Sequence, residues 1–106
     1  MGLFSNLFSA GATSELPANA MIIDVRSQQE YATGHVDGAI NLPLDMFNAG
    51  IQQLVPEKDT PVILCCLSGG RSGHACNIMK QQGYKAVFNG GGAVQLAQRL
   101  NKELKR

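Results

Sequence analysis

Basic side chains form no cluster anywhere in this chain. Nine Lys and Arg stand against eight Asp and Glu, leaving a net charge of +1 across 106 residues. The electrostatic footprint of a nucleic-acid binder is therefore missing. No apolar run approaches the roughly 18 residues that a spanning helix needs, which argues against a membrane span. No Cys-x-x-Cys pair points to structural zinc, and three cysteines, two of them adjacent, do not make a disulfide framework. The stretch from Met1 to Ser9 lacks the positive n-region of a signal peptide, and Asn6 and the serines interrupt its apolar part. Gly2 invites a myristoylation reading, but Asn6 stands where that signal has Ser or Thr. The expectation is a cytoplasmic protein in a reducing compartment, with at least one thiol in chemical use.

Hydrophobic residues at 44% and charged residues at 16% describe an ordinary globular chain, and its length suits one domain. Residues 1–20 are expected as an N-terminal extension. There, Leu3, Phe4, Leu7 and Phe8 have the spacing of a short amphipathic turn, either packed on the domain or serving as a docking or dimer patch. Residues 21–106 are expected as the domain itself. Four apolar runs read as strands: Met21 to Val25, Ala39 to Leu42, Pro61 to Cys65 and Ala86 to Phe88. Ser27 and Glu30 have the spacing of a capping box for a brief helix that Gly34 ends. A second helix is expected from Asp45 to Val55, with Met46, Ile51, Leu54 and Val55 inward. A third runs from Arg71 or Ser72 to Gln82, with Ala75, Ile78 and Met79 inward. A fourth runs from Ala93 to Leu104, with Val94, Ala97, Leu100 and Leu104 on one face and Lys102, Lys105 and Arg106 at its C-terminus. Strands alternating with helices predict an α/β fold: a mostly parallel four- or five-stranded sheet with helices on both faces. Ligands of such sheets bind beyond the C-terminal strand ends, where Asp24 to Arg26, Cys66 and Gly90 to Gly92 fall.

The stretch Cys65-Cys66-Leu67-Ser68-Gly69-Gly70-Arg71-Ser72 joins the third strand to the third helix. Gly69 and Gly70 tolerate positive φ, so several backbone N–H groups can turn inward and join the helix N-terminus as an anion site. The same field favours a thiolate. The bland reading is a tight glycine turn beside a buried, inert cysteine.

Read as Cys66-Leu67-Ser68-Gly69-Gly70-Arg71-Ser72, the loop resembles the active-site loop of rhodanese-type sulfurtransferases. Asp24-Val25-Arg26, Glu30-Tyr31 and the run Gly34 to Pro43 are similar to a second hallmark of that family, in the right order. Asn89-Gly90-Gly91 matches as well, and the resemblance covers about Met21 to Gly92. It implies a single rhodanese-like domain in which the Cys66 thiolate takes the outer sulfur of a small anionic donor such as thiosulfate. The persulfide then passes that sulfur to a thiol acceptor, or to cyanide in an assay. On the same resemblance Arg71 binds the donor, and Leu67, Ser68, Gly69, Gly70 and Ser72 form the substrate and anion loop. Asp24, Arg26 and Glu30 would support the site as an ion-pair network. No metal or organic cofactor is implied, and a monomer or weak dimer is expected. One departure stands out: thiosulfate-preferring members often carry a basic residue after the nucleophile, and here that position is Leu67.

The adjacent cysteines leave a second reading open. Counted from Cys65, the spacing is Cys-x5-Arg71-Ser72, which resembles phosphatases built on the rhodanese fold. Against it, Leu64 stands where those enzymes usually have His, and the glycine at the third position after the nucleophile fits only from Cys66. A third reading is a non-catalytic interaction module with a relict loop. Cys76 is expected as a core residue with a lesser chance of acting as a resolving thiol. His74 is expected exposed, near enough to influence Cys66, and His35 is expected to be structural.

Overall fold

A computed structural model of the chain describes residues 16–106. The amphipathic turn expected over Leu3, Phe4, Leu7 and Phe8 lies outside them. In chain order the elements are β1 (Met21–Asp24), α1 (Gln28–Thr33), β2 (His35–Val36), β3 (Ile40–Asn41), α2 (Leu44–Leu54), β4 (Val62–Cys66), α3 (Gly70–Gln81), β5 (Val87–Gly92), α4 (Ala93–Leu100) and β6 (Leu104–Lys105). Strands β3-β1-β4-β5 form one sheet, parallel throughout, and β2 pairs with β6 in a separate antiparallel ladder.

Side-chain alternation along the central strand β4 divides the interior in two. Val62, Leu64 and Cys66 point to one face with Ile23 and Val25, under Phe47 and Ile51 of α2 and Ala75, Cys76 and Met79 of α3. Ile63 and Cys65 point to the other face with Ile22, under Val36, Ala39 and the α4 residues Ala93, Leu96 and Ala97. Both faces of β4 are buried, which is why its sequence is an unbroken apolar run. The two adjacent cysteines therefore lie on opposite sides of the sheet. Cys66, not Cys65, is the last residue of the strand.

Two helices depart from the expected phase. Helix α2 begins at Leu44, so Leu44, Phe47, Ile51 and Leu54 share its inward stripe, and Met46 is left 55% exposed. Helix α4 ends at Leu100 rather than Leu104, because Asn101 takes the left-handed conformation (φ 60°, ψ 42°) and the Lys102 amide turns back to the Ala97 carbonyl at 2.8 Å. Its inward stripe is Ala93, Leu96 and Ala97, so Val94 and Leu104 are exposed. Leu104 and Lys105 instead extend as β6 opposite Val36 and His35, and the expected placing of Lys102, Lys105 and Arg106 at a helix C-terminus is replaced by this short ladder. The β2–β6 pair had no sequence signal, since each strand is only two residues long.

Strand β5 also runs further than its apolar residues suggest, through Asn89-Gly90-Gly91-Gly92. The pairing with β4 slips there: Leu64 lies opposite Asn89, but Cys65 lies opposite Gly91, leaving Gly90 as the extra residue. A Cβ at Gly90 would stand 2.8 Å from Ile63 Cγ2 and 3.0 Å from Leu96 Cδ2, so only glycine lets α4 close on the sheet.

Candidate active site

The C-terminal end of β4 delivers Cys66 into the loop, as the parallel sheet requires. The residue is 1% exposed. Its Sγ accepts from the Gly69 amide at 2.9 Å and the Ser72 amide at 3.4 Å, and Ser72 Oγ lies 3.4 Å away. Gly69 makes this possible: at φ 103° it reverses the chain so that the first turn of α3 points its amides back at the sulfur. Gly70 needs no such conformation and opens the helix. The cradle expected for a substrate anion is thus filled, in this structure, by the cysteine's own sulfur. Burial pushes the Cys66 thiol up, but the Ser72 hydroxyl and the amides of Ser72, Gly69 and Ser68 pull it down further, leaving it below the usual thiol range.

The other two thiols are held the opposite way. Burial, reinforced by the Asp24 carboxylate, pushes Cys65 up to about 12. Burial takes Cys76 up to about 11, within the core beneath α3. None of the loop hydrogen bonds reaches either sulfur, and Cys76 packs as the small core residue expected. His74 is exposed on α3.

The expected network of Asp24, Arg26 and Glu30 is two separate pairs. Asp24 (0% exposed) and Arg26 (6%) face each other in bidentate contact, Nη2 to Oδ2 at 2.6 Å and Nε to Oδ1 at 2.9 Å. Arg26 Nη2 also donates to the Gly34 carbonyl at 2.7 Å, and Asn41 Nδ2 donates to the carbonyls of Asp24 and Arg26. This pair ties the end of β1 to the neighbouring segments. Glu30 instead takes Arg71, Oε1 to Nη1 at 2.8 Å and Oε2 to Nη2 at 3.1 Å, while completing the capping box with Ser27. The Arg71 contact and the Ser27 amide hold the Glu30 carboxyl down at about 2. The guanidinium fork expected to meet a substrate anion is therefore occupied by a carboxylate. Arg71 also borders a cavity of about 460 Å³, whose wall includes Val25, Gln28, Leu44, Asp45 and Met46 but not Cys66.

His35 stacks on Tyr31 with ring centroids 3.7 Å apart, and its Nδ1 donates to the Tyr31 carbonyl at 2.9 Å. Leu67 and Ser68 are exposed at the loop tip, Leu67 at 62%. One residue that entered the sequence reading only as part of a family match, with no role attached, belongs to this site. Asn89 of β5 bonds Ser72 Oγ at 2.6 Å, the Gly69 carbonyl at 3.2 Å and the Gly91 amide at 2.9 Å. Its signal in the sequence was the Asn89-Gly90-Gly91 run that matches the family after the last apolar strand.

The rhodanese-like domain profile matches residues 9–98. This chain belongs to the rhodanese family. The thiosulfate sulfurtransferase PspE of Escherichia coli K12 is 41% identical over 75 residues, 71% of this chain and 72% of that protein. A solved structure of a rhodanese with anions from E. coli is 40% identical, with a TM-score of 0.68 over 71% of this chain and 88% of that one. The tRNA uridine(34) hydroxylase of Erwinia tasmaniensis is 30% identical over 89 residues, but they make up only 25% of that protein. Rhodanese domains thus occur in proteins with differently named activities, and the reaction has to be argued from the site. Among the described residues no helix is long and apolar enough to cross a membrane.

A rhodanese site built this way makes a pH prediction. The thiolate is the reacting form, so alkylation by iodoacetamide is expected to rise with pH through a midpoint below the usual thiol range, and to fall on Cys66 alone. Cys65 and Cys76, with thiols pushed to about 12 and about 11, are expected to stay unmodified across the same range in the folded protein. Peptide mapping of the alkylated protein checks both statements.

Proposed function

We propose that the protein is a sulfurtransferase that carries a sulfane sulfur on Cys66. The observation that supports this most is the convergence of loop donors on one sulfur atom, Cys66 Sγ. In the first half-reaction the Cys66 thiolate attacks the outer sulfur of a donor such as thiosulfate. The new S–S bond forms as the old one breaks, and sulfite leaves with the bonding pair. In the second, an acceptor thiolate or cyanide attacks the outer persulfide sulfur, and the Cys66 thiolate leaves with its pair. The groups that stabilise that thiolate serve both halves, because Cys66 is nucleophile in one and leaving group in the other. Since Cys66 is 1% exposed, the loop amides must spread around the arriving sulfur and then bind the persulfide, much as an oxyanion hole binds its anion.

Arg71 is the residue assigned to the donor's sulfonate end, its fork matching a tetrahedral oxyanion. Its pairing with Glu30 means that the donor shares or displaces a carboxylate to reach it, which with Leu67 argues for weak thiosulfate binding. Leu67, Ser68, Gly69, Gly70 and Ser72 form the loop around the transferred sulfur, and the Asp24–Arg26 pair supports it from β1. No cofactor enters this scheme. Three unpaired cysteines fit a reducing compartment, so we place the protein in the cytoplasm, as a monomer or weak dimer acting on small anionic donors and thiol acceptors.

The phosphatase reading is disfavoured because Cys65 faces the opposite core with its thiol pushed to about 12, away from the loop donors. A relict interaction module is disfavoured because the donors still converge on Cys66. Initial rates with thiosulfate and either cyanide or dithiothreitol test the proposal. Parallel double-reciprocal lines are expected, from a covalent sulfur intermediate. Intersecting lines, or no turnover with either acceptor, contradict it.

A further inference from the structure

Ser72 has a single hydroxyl hydrogen and three acceptors for it. Oγ lies 2.6 Å from Asn89 Oδ1, 3.1 Å from the Gly69 carbonyl and 3.4 Å from Cys66 Sγ. The Asn89 amide is fixed from both ends. The Gly91 N–H can only donate, so the atom 2.9 Å from it is the oxygen. The Gly69 carbonyl can only accept, so the atom 3.2 Å from it is the nitrogen. That carbonyl has two lone pairs, already met by Asn89 Nδ2 and by the Gly73 amide at 2.9 Å. The Ser72 hydrogen is left with Asn89 or the sulfur, and the distances put it on Asn89. A Cys66 thiol in this place can turn its hydrogen to the Ser72 oxygen. A thiolate in the same place would meet a lone pair until the hydroxyl turned round.

We propose that Asn89 is a positioning residue of the sulfur-transfer site, holding the Ser72 hydroxyl away from Cys66 in the resting protein and releasing it to the sulfur when the thiolate forms. The inference rests on the reading of Cys66 as nucleophile. Ser72 keeps its proton throughout and changes only the atom it addresses; the thiol proton leaves to water. Asn89 competes with the thiolate for one hydrogen bond, so it raises the cost of ionisation while anchoring the loop that stabilises the product. The same switch operates when the persulfide gives up its sulfur and the thiolate returns.

Several charged or titratable groups surround Cys66: Arg71 on α3 with Glu30 on α1, the Cys65 thiol on β4, and the Asp24–Arg26 pair on β1 beside Cys65. His74 is exposed on α3, and Cys76 lies in the core on the Cys66 side of the sheet. From β5 comes Asn89, which does not titrate. A change in the Cys66 midpoint on replacing Asn89 by Ala therefore cannot come from a lost charge.

The test is the pH profile of Cys66 alkylation by iodoacetamide, with the modified residue located by peptide mass. In Asn89→Ala the midpoint is expected to fall by about half to one pH unit, the worth of one neutral hydrogen bond handed to the sulfur. In a Ser72→Ala background the same replacement is expected to move nothing. An unchanged or raised midpoint in the single variant overturns the proposal, and so does an equal fall in both backgrounds. Should Asn89→Ala fail to fold, Asn89→Asp keeps the acceptor for Ser72 and Gly91. Its midpoint is expected to rise, and to rise less in the Ser72→Ala background; equal rises overturn the proposal. Alkylation needs no sulfur donor, so failure here leaves the sulfurtransferase reading standing. Failure to form a persulfide would in turn leave the hydroxyl switch standing.

Discussion

Cys66→Ser is expected to lower sulfur transfer from thiosulfate at least about a thousandfold, while Cys65→Ser and Cys76→Ser keep rates within about threefold of the parent. The contrast follows from the three sulfur environments. Cys66 alone receives the amides of Gly69 and Ser72, and its thiol alone is drawn below the usual range. A serine hydroxyl in its place is neither ionised at neutral pH nor able to hold a sulfane sulfur reversibly. Cys65 and Cys76 are buried on their two sides of the sheet, so serine there costs stability instead, by placing a hydroxyl among apolar neighbours. Both variants are expected to melt earlier and still turn over. Thiocyanate release with cyanide as acceptor measures the rates, and an active Cys66→Ser protein contradicts the assignment.

Asp24→Ala is expected to destabilise the fold by about 3–5 kcal/mol, a large fraction of the stability of a domain this size. The cost comes less from the lost attraction than from what remains. Arg26 is 6% exposed, and without Asp24 its guanidinium is left with the Gly34 carbonyl as hydrogen-bond partner. A buried cation left with so little compensation must recruit water or drag the end of β1 outward. Because Val25 and Leu44 are joined by a backbone hydrogen bond at 3.0 Å just beyond this point, the disturbance reaches α2. Urea denaturation measures the loss, and a change below about 1 kcal/mol would show the pair to be solvated, as surface pairs are. Replacing both partners by apolar residues of similar size is expected to restore much of the loss, since no charge is then stranded.

Much of this architecture was legible in the chain because its signals are local. The continuous apolar runs of β1 and β4, the Ser27–Glu30 capping box and the glycines after Cys66 each dictate their own structure. The alternation of strand and helix then leaves few topologies. In the sequence, the loop length and the place of Gly69 favoured Cys66 over Cys65, and the side-chain alternation of β4 turns the two to opposite faces. What was hidden depends on partners distant in sequence. Met46 and Phe47 differ only in helical phase, which is set by where α2 starts. Leu104 and Lys105 continue a helical pattern on paper, yet Asn101 ends the helix, and pairing with His35 and Val36 draws them into a strand. The run Asn89 to Gly92 reads as loop by composition, but it pairs with β4 as a strand, and Gly90 within it sits where a side chain would meet Ile63 and Leu96. Arg71 was expected at a substrate anion on the family resemblance; nothing in the sequence showed that Glu30, 41 residues away, fills its fork in the resting site.

The most direct measurement of the central claim is the intact mass of the protein after thiosulfate treatment, followed by peptide mapping. The account predicts a gain of one sulfur atom, located on Cys66, removed by dithiothreitol or cyanide and absent from Cys66→Ser. A protein whose mass does not change, or whose added sulfur maps to Cys65 or Cys76, would contradict it.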